Sequence, residues 1–230
     1  MKVRIRFKKE GVMKYIGHLD VMRYFQKLLR RADIPIAYSQ GLSPHQIMSF
    51  AMPLSTGLES DGEYVDIEIT ERITTDEAKR RMNAHNVEGI EILSFKELPD
   101  GAKNAMASIS AADYTVSFRE GFKPSFSCID TLRRMYDEDS INVVKQTKKS
   151  ESVVDIKPGI YSIDGDDEKI HLCLSCGSVL NIKPELVIGA AFNREGADLP
   201  EFALSIRRNE IYTDIDGNRV SLDMIGTDIT

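Results

Sequence analysis

The chain has 230 residues, 42% of them apolar, and carries 36 acidic against 30 basic side chains for a net charge of −6. With no run of eighteen apolar residues, the composition predicts a soluble globular protein of one large or two small domains and no membrane-spanning helix. Three cysteines, an odd number, argue against the disulfide framework of a small secreted domain.

In chain order, Lys2 to Lys8 alternates Val3, Ile5 and Phe7 with basic residues, the pattern of a half-buried strand with its cations outward. A helix follows from His18 to Ala32. At 100° per residue, Met22, Phe25, Leu28, Leu29 and Ala32 share an arc of about 120°, with Leu19 at its edge. Arg23, Lys27, Arg30 and Arg31 cluster on the opposite side, with Asp20 the one acid among them. Ile34–Tyr38 and Ile47–Met52 read as extended pieces interrupted by Gly41, Ser43 and Pro44. Glu63–Thr70 alternates as a third strand, and Thr75 begins a second helix that ends before Val87, with Ala78 and Met82 inward. Ile90–Leu98 closes the set as a strand. The order βαββαβ is the ferredoxin-like arrangement, two helices on one face of a four-stranded antiparallel sheet.

Pro99 to Ser110, rich in Gly, Ala, Ser and Asn, reads as a linker. Beyond it come a strand at Tyr114–Phe118, a helix at Ser127–Tyr136 and extended pieces at Asn142–Thr147, Val153–Ile163 and Lys169–Cys176. A helix at Pro184–Phe192 and a strand at Glu201–Tyr212 complete the pattern. Pro184 loses no hydrogen bond at a helix start, and Glu185 faces the positive end of the helix dipole. The expected fold class is therefore α+β with two ferredoxin-like domains, 1–99 and 111–230, the second a related α+β unit.

Charge is unevenly spread. Residues 1–50 hold ten Lys or Arg against three acids, whereas the other 180 hold twenty against thirty-three. Four cations on one helix face repel each other, by about 0.2–0.5 kcal/mol for each like-charged i,i+4 pair. A basic sector on an acidic protein points to a localised anionic partner. Nucleic acid fits better than a membrane, because no Trp- or Phe-studded amphipathic anchor accompanies the cations. The opening MKVRIRFKKE alternates instead of leading into an apolar stretch, so no signal peptide and a cytoplasmic location are expected.

The candidate nucleic-acid-binding residues are concentrated in this sector: His18, Asp20, Arg23, Lys27, Arg30, Arg31, Tyr38, Ser39, Gln40, Gly41, His45 and Ser49. Tyr38 and His45 can stack on a base, Ser39, Gln40 and Ser49 can bond its edge, and the arginines can meet phosphates. Single-stranded RNA is read in this way, at about 1–3 kcal/mol per stacked base. Gly41 allows positive φ or a close ligand approach. Each residue also has a structural alternative: His18 lies beside the apolar face and can pack there, and Asp20 can complement the helix dipole. Tyr38 and Phe50 can be sheet core. Glu63 and Asp66 can be exposed strand residues, or acids that position arginines.

Cys173 and Cys176 form a C-x-x-C, but in the alternating run from Lys169 they fall on opposite faces of a strand. His18, His45, His85 and His171 show no ligand spacing. No metal and no other cofactor is expected.

The wording Ile16-Gly-His-Leu-Asp-x-x-Arg23, Leu29-Arg-Arg-Ala32, Ile36-Ala-Tyr-Ser-Gln-Gly-Leu-Ser-Pro-His45, Ser49-Phe-Ala, Pro53-Leu with Gly57, and Glu63-Tyr with Asp66 resembles a bacterial family of radical-SAM-associated proteins, DUF2344. Val154-Asp-Ile-Lys-Pro158 resembles its second half. In that family the unit occurs fused behind a radical SAM domain or as a separate protein, which implies a radical SAM enzyme as partner in trans. This chain contains no CxxxCxxC cluster motif. The leading expectation is an accessory protein, more a non-catalytic partner than an enzyme, that binds tRNA or rRNA. The alternatives are a metal-independent RNA-cleaving or RNA-modifying enzyme using His18 or His45, and a pure protein-interaction module.

Overall fold

The computed structural model describes residues 1–146, 151–177 and 180–230. Its elements are β1 (Lys2–Lys9), α1 (His18–Arg31), β2 (Met48–Phe50), β3 (Glu59–Glu68), α2 (Thr75–Ala84), β4 (Ile90–Glu97), α3 (Ala105–Ser108), β5 (Ile109–Phe118), α4 (Cys128–Tyr136), β6 (Asn142–Gln146), β7 (Glu151–Asp155), β8 (Ile160–Gly165), β9 (Ile170–Ser175), α5 (Pro184–Arg194), β10 (Leu204–Ile215), β11 (Asn218–Ser221) and β12 (Thr227–Asp228). The class is α+β. Thr147, the last residue of one expected strand, lies outside the described residues.

The contacts divide the chain into unit 1, Met1–Ser110 with Glu210–Thr230, and unit 2, Ala111–Asn209. The sequence places a second domain at 111–230, whereas the contacts group Glu210–Thr230 with the first segment.

In unit 1 the strands lie in the order β12-β4-β1-β3-β10, with β2 on the edge of β3. Its first four strands thus run β4-β1-β3-β2, with β1–β4, β1–β3 and β2–β3 all antiparallel. Val3, Ile5 and Phe7 meet Val21, Phe25, Leu28 and Leu29 of α1, together with Ala78 and Met82 of α2, in one buried cluster. Phe25 stacks at 4.6 Å on Phe7 and at 5.5 Å on Phe50, which fixes α1 over the sheet. Leu19, at the edge of the apolar arc, stays 61% exposed. Gly89 takes φ +89°, and a Cβ there would come within 2.5 Å of the Glu10 carbonyl oxygen. That close approach ties the turn before β4 to the end of β1.

Of the β1 cations only Lys2 is outward, which corrects the sequence expectation: Arg4 and Lys9 are buried, and Arg6 and Lys8 half-buried. Arg4 is buried and forms a bidentate bond to Asp66, at 2.8 and 2.9 Å. Its remaining donors reach the carbonyl oxygens of Leu222 and Lys103. Pro99–Ser110 is likewise more than a linker. Asn104 caps α3, Ala105 is fully buried, and its N–H donates to Asp66 at 2.7 Å. Alternation predicts two strand faces. Here the polar one is covered by later parts of the chain.

Unit 2 repeats the connectivity. Its strands lie in the order β10-β5-β9-β8, again fourth, first, third, second when the separate β6–β7 ribbon is set aside. Ser127 and Pro184 start α4 and α5, the first as a side-chain cap on the Asp130 N–H. The expected single strand Val153–Ile163 is broken at Lys157–Gly159 into a 3-10 turn with Pro158 in its first positions, where the missing N–H cannot join a ladder, and a Cβ at Gly159 would come within 2.4 Å of Ile182.

Candidate nucleic-acid interface

Most of the N-terminal cations are already engaged. Arg4 pairs with Asp66, Arg6 with Glu210 at 3.2 Å, Lys8 with Glu10 at 2.9 Å and Lys14 with Glu59 at 3.2 Å. Lys9 is buried and donates to the Ile16 carbonyl. On α1, Arg23 forms an exposed pair with Asp20 at 3.2 Å, an arrangement worth about 0.2–1 kcal/mol and easily exchanged for a stronger anion. Lys27, Arg30 and Arg31 have no carboxylate partner among the described residues. Arg30 only touches the Gln26 carbonyl of its own helix, and Arg31 donates to the His85 carbonyl at 3.3 Å. Apart from the exposed Lys2, the anion-seeking charge of residues 1–50 is therefore concentrated on the exposed side of α1.

Beside α1 stands an arm formed by residues 36–48. Ile36 bridges to Ile69 and Tyr38 to Gln46, and Ile47 N–H donates to the Ala37 carbonyl. Ser39 closes the arm. Its N–H donates to the His45 carbonyl at 2.8 Å, its hydroxyl accepts from the His45 N–H at 3.1 Å, and it lies 2.9 Å from His45 Nδ1. The intervening Gln40–Pro44 are exposed, with Gly41 at φ +119° and Leu42 entirely in solvent. Tyr38 is 46% exposed, so part of its ring is open to a stacking partner.

The arm meets α1 through Gln46, whose amide donates to the Gln26 carbonyl at 3.3 Å. Gln46 is buried, and its Oε1 has no hydrogen-bond partner among the described residues. Gln26 lies about two helical turns beyond His18. His18 is half-buried and packs edge-on against Phe50, with ring centroids 5.3 Å apart. The structure thus gives His18 and His45 different partners. Tyr38, Ser39, Gln40, Gly41 and His45 share the arm, beside the flank of α1 that carries Arg30. Ser49 stands opposite Asp66 in the β2–β3 register, on the covered polar face of the sheet and not with the arm.

Sequence reasoning passed over the second helix. Arg81 of α2 donates to the Asp33 carbonyl at 3.1 Å, and Arg80 is held by Glu77 at 2.8 and 2.9 Å. The run Lys79-Arg-Arg81 was its visible signal. Gln26 and Gln46 carried no such signal, since their roles depend on the fold.

Elsewhere, all three cysteines are buried thiols outside any disulfide, and burial with the nearby Asp167 pushes the Cys128 thiol up to about 12. Among the described residues no group of three His, Cys, Asp or Glu side chains is placed to hold a metal ion. No described helix is long and apolar enough to cross a membrane.

No curated protein matches the chain. One solved structure it is similar to is the X-ray crystal structure of a heavy metal efflux pump, at 10% identity and a TM-score of 0.25. That similarity covers 93% of this chain but 28% of the pump's length. Residues 2–184 match the family described as an uncharacterized protein conserved in bacteria, DUF2344, and the chain belongs to that family.

Proposed function

We propose that this chain is a non-catalytic accessory protein of a radical SAM enzyme and that it binds RNA, a tRNA or rRNA, through unit 1. The order β4-β1-β3-β2 supports a ferredoxin-like unit 1, with unit 2 a related copy. The observation that carries the RNA reading is the sorting of charge. Arg4, Arg6, Lys8 and Lys14 are held by carboxylates, whereas among the described residues Lys27, Arg30 and Arg31 of α1 have none, next to an arm that exposes Tyr38 and His45. Cations without acidic partners attract phosphate, and a tyrosine and an imidazole beside them offer faces for unpaired bases. The radical SAM partner rests on the family resemblance of the motifs.

Crosslinking in the chain's own cells, followed by sequencing of the attached RNA and identification of co-purified proteins, tests both halves. One RNA class should be enriched and should be lost in a Lys27→Ala, Arg30→Ala, Arg31→Ala variant. A radical SAM enzyme should co-purify with both forms. Equal RNA recovery with the variant would end the RNA assignment, and absence of the enzyme would end the partnership.

A further inference from the structure

We infer that unit 1 divides its labour. The helix layer holds the phosphate backbone of a base-paired RNA, and the arm at 38–45 meets unpaired bases beside it, so the substrate class is a stem with an adjoining single-stranded loop. This rests on the RNA reading above.

The two helices present one surface. Arg31 reaches from the end of α1 to the His85 carbonyl, Arg81 reaches back from α2 to the Asp33 carbonyl, and Tyr24 donates to Asn86 at 2.7 Å. Residues 18–33 and 74–85 together carry seven Lys or Arg against Asp20, Asp33, Asp76 and Glu77. Glu77 is shared between Arg80 and Arg81, which leaves that trio positively charged. The layer therefore matches an anionic surface wider than one helix.

Its chemistry is also restricted. The aromatic residues of the two helices are Tyr24, half-buried with its hydroxyl committed to Asn86, and Phe25, fully buried. The imidazole of His18 packs against Phe50 and that of His85, though exposed, is bonded through Nδ1 to the Arg81 carbonyl, so this layer offers charge and shape in preference to stacking faces. The opposite sheet face offers no stacking platform either, because Arg4, Tyr64 and Asp66 are buried there. Base contact is left to the arm, where Tyr38, Leu42 and His45 are exposed. Gln46 joins arm to helix, so both chemistries sit side by side. Phosphate contacts position an RNA and base contacts specify it, and duplex RNA is recognised mainly by shape and backbone.

The test is fluorescence anisotropy with three labelled RNAs: a stem-loop, its stem as a blunt duplex, and its loop as a single strand. The stem-loop should bind tightest. A Lys27→Gln, Arg30→Gln, Arg80→Gln variant should flatten the slope of log affinity against log salt by about 2 on stem-loop and duplex alike, at roughly 0.7–0.9 per lost contact. A Tyr38→Ala, His45→Ala variant should bind the stem-loop about tenfold more weakly, leaving the duplex and the salt slope unchanged. These side chains are exposed, and unchanged thermal melts would show that both variants fold. If the wild type binds RNA but the helix variant keeps the full salt slope, the division of labour is wrong while the RNA reading stands. If the wild type binds none of the three, the RNA reading falls with it, and the basic layer faces an acidic protein instead.

Discussion

Burial of the Arg4 guanidinium takes a cation out of water, and the bidentate bond to Asp66 offsets that cost only while both partners are present. Asp66→Asn should therefore lower unfolding free energy by about 3–5 kcal/mol, read from urea denaturation, because it leaves the arginine charge without its counterion. Asparagine can still accept from the Ala105 N–H, so the loss belongs to the ion pair and not to that bond. Adding Arg4→Met should restore much of the loss, since the uncompensated charge disappears with it. A double variant no more stable than Asp66→Asn alone would refute this account. The same residues show why charge alternation in β1 was only half legible. Val3, Ile5 and Phe7 mark the face that meets the helices, but nothing local marks whether Arg4 meets water. The groups that enclose it belong to Lys103, Ala105 and Leu222. His18 is similar, because its packing partner Phe50 lies in another element.

Among the elements, α1, α2, α4 and α5 were legible because each writes its apolar stripe or its cap within a few residues. The C-terminal hairpin was missed although it carries a local signal. Asp216 and Gly217 both take positive φ, at 52° and 79°, between Ile215 and Asn218, the two-residue turn that Asp-Gly favours. The segment after it holds itself to the sheet through Asp223, which accepts from Ser94 and from Lys96 Nζ at 3.0 Å. Burial pushes the Asp223 carboxyl up, but hydrogen bonds from Ser94 and Lys96 outweigh it and hold the group below the usual carboxylate range. A carboxylate whose folded pKa is depressed contributes stability above its unfolded pKa, and that contribution is lost as pH falls through the folded value. Urea midpoints should therefore separate wild type from Asp223→Asn at about pH 6, the variant being weaker, and converge below about pH 4 as the wild-type carboxyl protonates. A constant gap across that range would show that Asp223 acts through packing alone.

At the scale of the whole molecule, the chain leaves unit 1 at Ser110 and returns at Glu210, so the second unit is an insertion into the first. The returning residues are structural members of unit 1. Glu210 accepts a hydrogen bond from the Tyr64 hydroxyl and pairs with Arg6, Leu222 accepts from Arg4, and the Ile229 N–H donates to Thr75 at 2.8 Å. Without Glu210–Thr230, residues 1–110 would uncover Tyr64 and Ser94, take one enclosing carbonyl from the buried Arg4, and lose the buried Leu222 and Ile229 side chains. Buried polar groups that lose partners cost about 1–3 kcal/mol each, and several such losses approach the total stability of a small domain. The fragment 1–110 should therefore fail to give a cooperative thermal transition. Ser110 already donates to the Tyr212 carbonyl at 3.3 Å, so the two segments of unit 1 lie within reach of a short glycine-rich connection. Residues 1–110 joined in this way to 210–230 should melt cooperatively and, where the full chain binds RNA as proposed, should keep that salt-dependent binding, because α1, α2 and the arm all lie in unit 1. Cooperative folding of 1–110 alone would show that the returning segment is dispensable. A folded, joined unit 1 that has lost RNA binding would assign the interface to unit 2.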